Sequence, residues 1–162
     1  MKKQPTLVLF CGLPGSGKTT TARKLETQLP AVRLCPDEWL TDLGVNLFDE
    51  EIRKNLEIRH WNLARELLKQ GQNVIVENGL WSRAERIEKL RDLQGISADV
   101  ELRFMDVPFD ELWRRVEARN RSGSYGTVPL TRADMEKYAG LFEAPDEAEM
   151  VLFSRVVRHR PD

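Results

Sequence analysis

Sulfur and imidazole are scarce in this chain: two cysteines, Cys11 and Cys35, and two histidines, His60 and His159, in 162 residues. Neither cysteine sits in a C-x-x-C or Cys/His metal spacing. Each closes a short apolar run, so both read as buried free thiols. His60 falls on or beside the apolar stripe of a helix with no second metal-ligand type spaced to it, and reads as a packed or partly exposed histidine. His159 reads as a solvated tail residue. No apolar stretch approaches the roughly 20 residues that span a bilayer. The N-terminal apolar run is short and broken by a glycine-rich turn, which argues against a signal peptide and points to a cytoplasmic protein. Charge of one sign is also lacking: 25 basic against 26 acidic residues, net −1. A global basic footprint for non-specific nucleic-acid binding is thereby excluded, while a local patch stays open. No repeat, linker or low-complexity segment interrupts the chain. With 41% hydrophobic and 31% charged residues, it reads as one soluble globular domain over residues 1–162, large enough to bury a core.

What is present is organised around Gly12-Leu13-Pro14-Gly15-Ser16-Gly17-Lys18-Thr19, which fits G-x-x-x-x-G-K-[ST], the phosphate-binding loop. Gly12, Gly15 and Gly17 let the backbone approach an anion closely. The successive N–H groups form a nest, and the helix beginning near Gly17 adds its positive dipole end. Lys18 reaches the β- and γ-phosphates in such a loop, and the Thr19 hydroxyl holds Mg²⁺. Ser16 and Thr20 complete the candidate nucleotide-binding set. The context agrees: an apolar run over residues 6–11 precedes the loop, and a helical stretch, 17–29, follows it to Pro30.

Short apolar runs recur at 31–35, 73–77 and 98–105, and a fifth strand is expected at 149–153. The basic segment 155–160 either extends that strand or trails into solvent. Helices are expected at 49–69, capped by Asp49 and closed near Gly71, and at 82–93, opened by the Ser82/Glu85 capping box. Two more are expected at 108–119 and 131–142. Alternating strands and helices predict an α/β fold with a parallel sheet and right-handed crossovers. Residues 119–131, with Ser122, Gly123, Ser124, Gly126 and Pro129 between arginines, read as a short lid.

Phosphoryl transfer needs positioning and charge neutralisation more than covalent chemistry. Asp37 lies just past the second strand, in a Pro36–Trp39 turn, at the sheet edge where open α/β folds bind ligands. It is either a base toward an acceptor hydroxyl or ordinary turn chemistry. Glu77 ends the third strand beside the loop and is a candidate metal holder with Thr19; otherwise it is a solvated strand end. Arg119 and Arg121 flank the lid and are candidates to stabilise transferring charge. Arg83 and Arg86 are weaker candidates for an acceptor pocket, and Trp39 and Trp81 read equally as pocket walls or core caps.

GLPGSGKT at 12–19, CPDEWL at 35–40, NVIVENGLWSRAER at 73–86, DVPFDELWRRVEARN at 106–120 and FEAPDE at 142–147 together carry a resemblance. The chain resembles the small P-loop kinases of the AAA-type ATP-binding, predicted-kinase family, similar to chloramphenicol phosphotransferase, the zeta toxins and 5′-hydroxyl polynucleotide kinase domains. The resemblance implies a three-layer P-loop NTPase fold with a five-stranded parallel sheet ordered 2-3-1-4-5, ATP with Mg²⁺, and transfer to a hydroxyl. It carries a base role onto Asp37 and nucleotide or phosphate contacts onto Arg115 and Arg119. One departure stands out: relatives usually place Asp after the third strand, where this chain has Glu77-Asn78. The expected activity is phosphotransfer to a small-molecule or nucleoside-like hydroxyl. A 5′-hydroxyl nucleic-acid kinase and a nucleotide-binding switch or ATPase are the alternatives. A nucleoside triphosphate and a hydroxyl acceptor are the expected partners; monomer and homodimer both stay open.

Overall fold

A computed structural model describes residues 3–123 and 125–162. The central strand, β1 (Thr6–Cys11), pairs in parallel with β3 (Asn73–Val76) on one side and β4 (Asp99–Met105) on the other. The edges are β2 (Ala31–Leu34) and β5 (Arg155–His159), so the parallel sheet runs β2-β3-β1-β4-β5, the order the resemblance implies. The continuous apolar run of β1 follows from burial on both faces. Leu7, Leu9 and Cys11 point one way, toward Leu34, Val74, Val76, Leu102 and Phe104. Val8 and Phe10 point the other way, with Ile75, onto Ala22.

Helix α1 (Lys18–Gln28) covers the second of these faces through Ala22. Helix α3 (Glu50–Lys69) covers the first through Trp61, Ala64 and Leu68, joined by Leu90 of α4 (Arg83–Asp92). Asp49 and Ser82 cap these two helices by accepting from Ile52 N and Glu85 N. Beyond the sheet, α5 (Phe109–Ser122) and α6 (Arg132–Leu141) pack through Leu112, Val116 and Met135 against Leu13 of the phosphate loop. Among the described residues, no helix is long and apolar enough to cross a membrane.

Four local expectations change. Residues Pro36–Asp42 form a helix, α2, rather than a turn. Pro36 is preorganised for the first helical turn, and Asp37 and Glu38 complement its dipole. Residues 149–153 are not a strand. Asp146 caps a short helix, α7 (Glu147–Met150), and the fifth strand is the basic segment, paired from Glu101↔Arg155 to Met105↔His159. Arg155 is tolerated there because Glu101 lies 3.4 Å away. His159 is consequently half-buried in β5, with Nε2 3.2 Å from Arg103 Nη1, and not a solvated tail residue. Helix α5 runs to Ser122 and stops at Gly123, so Arg119 and Arg121 lie in its last turn rather than in the lid.

Candidate active site

The phosphate loop leaves β1 and turns into α1 through Gly15 and Gly17, at φ 83° and 95°. A Cβ on Gly15 would also lie 2.9 Å from Val116 Cγ2, so α5 closes that position to any larger residue. The start of the loop is tied to the segment that follows β3: Gly12 N donates to Gly79 O at 3.0 Å. Lys18 Nζ donates to Gly12 O at 3.1 Å and Leu13 O at 2.9 Å, folding the amine back over the loop. Burial pulls the Lys18 amine down from 10.5 to about 8, against the opposing pull of Glu77 and Asp37.

Thr19 Oγ1 donates to Glu77 Oε1 at 2.5 Å, which brings together the two residues expected to hold a metal. The Glu77 side chain is 2% exposed, so the solvated strand-end alternative does not apply. Its second oxygen, Oε2, accepts from Arg33 Nη1 at 2.6 Å, and the same guanidinium nitrogen also bonds Glu38. A hydroxyl facing a carboxylate is an all-oxygen donor pair suited to a hard cation such as Mg²⁺. Cys35 lies close to Glu38 and Glu77, and burial pushes its thiol up to about 12; a soft thiol is poorly matched to a hard cation such as Mg²⁺. Cys11 is likewise buried and pushed up to about 12.

Asp37 occupies the first turn of α2 and is ion-paired with Arg53 of α3, whose Nη2 also donates to Leu47 O at 3.0 Å. Arg119 turns inward: its Nε is wholly buried with no hydrogen-bond partner among the described residues. Burial depresses its pKa, which the Asp37 carboxylate opposes. Arg115 reaches the loop, donating from Nη1 to Gly15 O at 3.3 Å and from Nε to Glu111 at 2.9 Å. Lys18, Thr19, Asp37, Glu77, Arg115 and Arg119 all line one cleft of about 980 Å³, as do Gly15, Ser16, Gly17 and Thr20. Gly12 sits beneath it, fully buried. Arg121 is different: 74% exposed and paired with Glu117 on the outer side of α5, it does not line the cleft.

The cleft is also walled by Trp81, whose Nε1 donates to Gly12 O at 3.1 Å and whose ring lies 4.9 Å from that of Tyr138. Trp39 is not a wall; it is 40% exposed and meets His60 edge-on at 4.6 Å. His60 is fully buried, and burial lowers it to about 4, so it stays neutral and packed. Arg86 does not face an acceptor. It is fully buried, bonded to Glu149 at 2.5 and 2.8 Å, and it donates to Leu80 O and Trp81 O at 2.9 and 3.2 Å. Arg83 pairs with Asp146 at 3.2 Å on the surface. In the segment expected as a lid, of which Ser124 lies outside the described residues, Tyr125 donates to Asp42 of α2, and the Asn120 amide clamps the Leu130 backbone at 2.7 and 3.1 Å.

Three residues of this site escaped the sequence reading: Arg33, Arg53 and Glu57, the last lining the cleft with its pKa raised by burial. Only Arg33 left a signal, as a charge inside the short run Ala31–Leu34.

The loop, the sheet order and the cleft define a P-loop phosphotransferase-type fold. Residues 7–145 match the model of the AAA domain family, and the chain belongs to that family. It is 28% identical over 156 residues to a shikimate kinase from Clostridium beijerinckii, covering 94% of this chain and 85% of that protein. Its fold matches a candidate kinase from Chloroflexus aurantiacus with a TM-score of 0.76 at 21% identity, over 98% of this chain and 89% of the other. The APS kinase of Mycobacterium tuberculosis, solved with AMPPNP and APS, matches with a TM-score of 0.63 at 23% identity, over 96% and 88% of the two chains. All three of these proteins are named as kinases.

Proposed function

We propose that this chain is an ATP-dependent phosphotransferase that moves the γ-phosphoryl group of Mg·ATP to a hydroxyl of a small-molecule or nucleoside-like acceptor. The observation that carries this reading is one cleft lined by the phosphate loop, by the Thr19–Glu77 pair and by Asp37. A nucleotide switch needs neither a carboxylate at that position nor arginines under a lid. The ties of Arg83 and Arg86 to acids weigh against a basic groove for an oligonucleotide.

In this reading the loop amides and Lys18 hold the β- and γ-phosphates, exchanging the two carbonyl contacts of the amine for phosphate oxygens. Thr19 and Glu77 hold Mg²⁺, which when bound supplies charge neutralisation at those oxygens. Asp37 accepts the acceptor's hydroxyl proton as its oxygen bonds to the γ-phosphorus and the bond to the ADP oxygen breaks. Arg53 orients that carboxylate, while Arg115 and Arg119 offset charge on the transferring group. Arg121 takes no part in this scheme, given its outward pairing with Glu117. The chain works as one unit over residues 1–162, in the cytoplasm, as a monomer or homodimer.

The test is acceptor-dependent ADP release from Mg·ATP, with Lys18→Ala as the blank. The acceptor panel spans hydroxy acids, sugars, nucleosides, hydroxylated antibiotics and 5′-hydroxyl oligonucleotides. Stimulation by one small-molecule class, absent from the blank, is the expected result. Tight ATP binding with no stimulation by any class would favour the switch, and stimulation only by oligonucleotides would favour a nucleic-acid kinase.

A further inference from the structure

A glutamate is one methylene longer than an aspartate and carries an extra rotor, so the backbone alone does not place the Glu77 carboxylate. A metal-holding carboxylate must nevertheless present one oxygen in a fixed place. The strand register answers how this chain does so. β2 and β3 pair in parallel with Arg33 opposite Ile75 and Leu34 opposite Val76, and Glu77 N continues the ladder to Leu34 O at 3.0 Å. Side chains alternate along a strand, so Arg33, Ile75 and Glu77 project to the same face, the one covered by α1. There Thr19, in the first turn of α1, takes one Glu77 oxygen at 2.5 Å and Arg33 takes the other at 2.6 Å.

We propose that Arg33 is a positioning residue for the metal-holding carboxylate: it occupies Glu77 Oε2 so that Oε1 is presented to Thr19 and Mg²⁺. The inference rests on the phosphotransferase reading and goes beyond it, since it assigns a role to a residue outside the lining of the cleft. Arg33 is itself anchored. Its Nη1 also bonds Glu38, Glu26 lies 3.4 Å from its Nε, and Glu38 is held in turn by Arg23 at 2.8 Å. The group sets three carboxylates against two guanidiniums, with the Lys18 amine also acting on Glu77. The Arg33 and Glu38 side chains are each 13% exposed, so water screens these contacts little. A guanidinium suits this place because its paired N–H groups span two carboxylates in a fixed plane, which an ammonium on a flexible stem does not.

The test uses binding rather than turnover. Affinity for the non-hydrolysable nucleotide AMP-PNP is measured by calorimetry against Mg²⁺ concentration for the wild-type chain, Arg33→Met and Arg33→Lys, with thermal unfolding as the check on folding. The half-saturating Mg²⁺ concentration is expected to rise about tenfold in Arg33→Met, the scale on which residues behind a metal ligand act. A smaller rise is expected in Arg33→Lys, which still folds if the methionine variant does not. Mg²⁺-free AMP-PNP affinity should be unchanged in both. An unmoved Mg²⁺ dependence in a folded variant would overturn the proposal and leave Arg33 a structural residue. An equal loss of Mg²⁺-free affinity would overturn it too, because Arg33 would then be shaping the phosphate loop. A wild-type affinity indifferent to Mg²⁺ is a separate outcome: it removes the metal reading itself, and this proposal with it.

Discussion

Glu77 and Asp37 follow neighbouring strands of one sheet and face one cleft, yet their surroundings differ. The Glu77 side chain is 2% exposed and is held by Thr19 and Arg33; the segment after it is pinned where Arg86 bonds the Leu80 and Trp81 carbonyls. The Asp37 side chain is 42% exposed and, among the described residues, makes one direct ion pair, with an arginine on a different helix. The segment after α5 meets α2 through an exposed tyrosine. A carboxylate that holds a metal gains from rigidity, because the ion tolerates little displacement of its ligands. A carboxylate that receives a proton must admit the acceptor, so it keeps a solvent path and one exchangeable partner. On the proposed function, the two sides of the cleft meet those different needs.

The most drastic way to break the comparison is Lys18→Ala, which serves both sides at once. Phosphotransfer is expected to vanish while thermal unfolding stays close to wild type; near wild-type turnover would remove the loop from the mechanism. Asp37→Asn separates the sides. It should lower kcat by about 10²–10⁴ with nucleotide affinity retained, and a loss below tenfold would demote Asp37 to a helix-start residue. Arg86→Met tests the rigid side through stability: it strands Glu149 in the interior and should cost about 3–5 kcal/mol, read as a lower Tm. An unchanged Tm would show that the pinned segment does not depend on this pair.

The next effect is a pH dependence. With its amine lowered to about 8, free Lys18 loses its charge as pH rises through that value, while bound phosphate favours the protonated form. Nucleotide affinity should therefore fall above about pH 8, and this fall should be absent in Lys18→Met. The sign for folding is opposite: between about 8 and the usual 10.5 the unfolded chain binds more protons, so the nucleotide-free protein gains stability as pH rises through that window. Tyr125→Phe should have the smallest effect, no more than about threefold in KM, the scale of one exposed hydrogen bond. A large effect would mean that the α2 side is as rigid as the β3 side.

Much of this was legible in the chain. The loop motif, the doubly buried run of β1, the capping residues Asp49 and Ser82, and the positions of Asp37 and Glu77 at strand ends are local signals. The expected strand at 149–153 failed because an apolar run of that length does not distinguish strand from helix, and Glu149 is drawn inward by Arg86 rather than by a sheet. The basic segment was ambiguous because an edge strand needs no apolar continuity, only a paired neighbour. Arg121 resembled Arg119 in sequence. Two residues along a helix is about 200°, so one turns into the cleft and the other to solvent.

The sequence by itself determined the α/β alternation, the phosphate-binding loop and the carboxylates available to work beside it. These are read from backbone freedom, burial and spacing within a few residues. Only the tertiary structure decided how the charges pair: Arg33 with Glu77 across 44 residues, Arg53 with Asp37 across 16, and Arg86 with Glu149 across 63. An arginine carries no local mark of its partner, because attraction between charges has no sequence period. The partner is chosen by strand register and helix packing, which bring distant carboxylates within reach and exclude the water that would otherwise screen them.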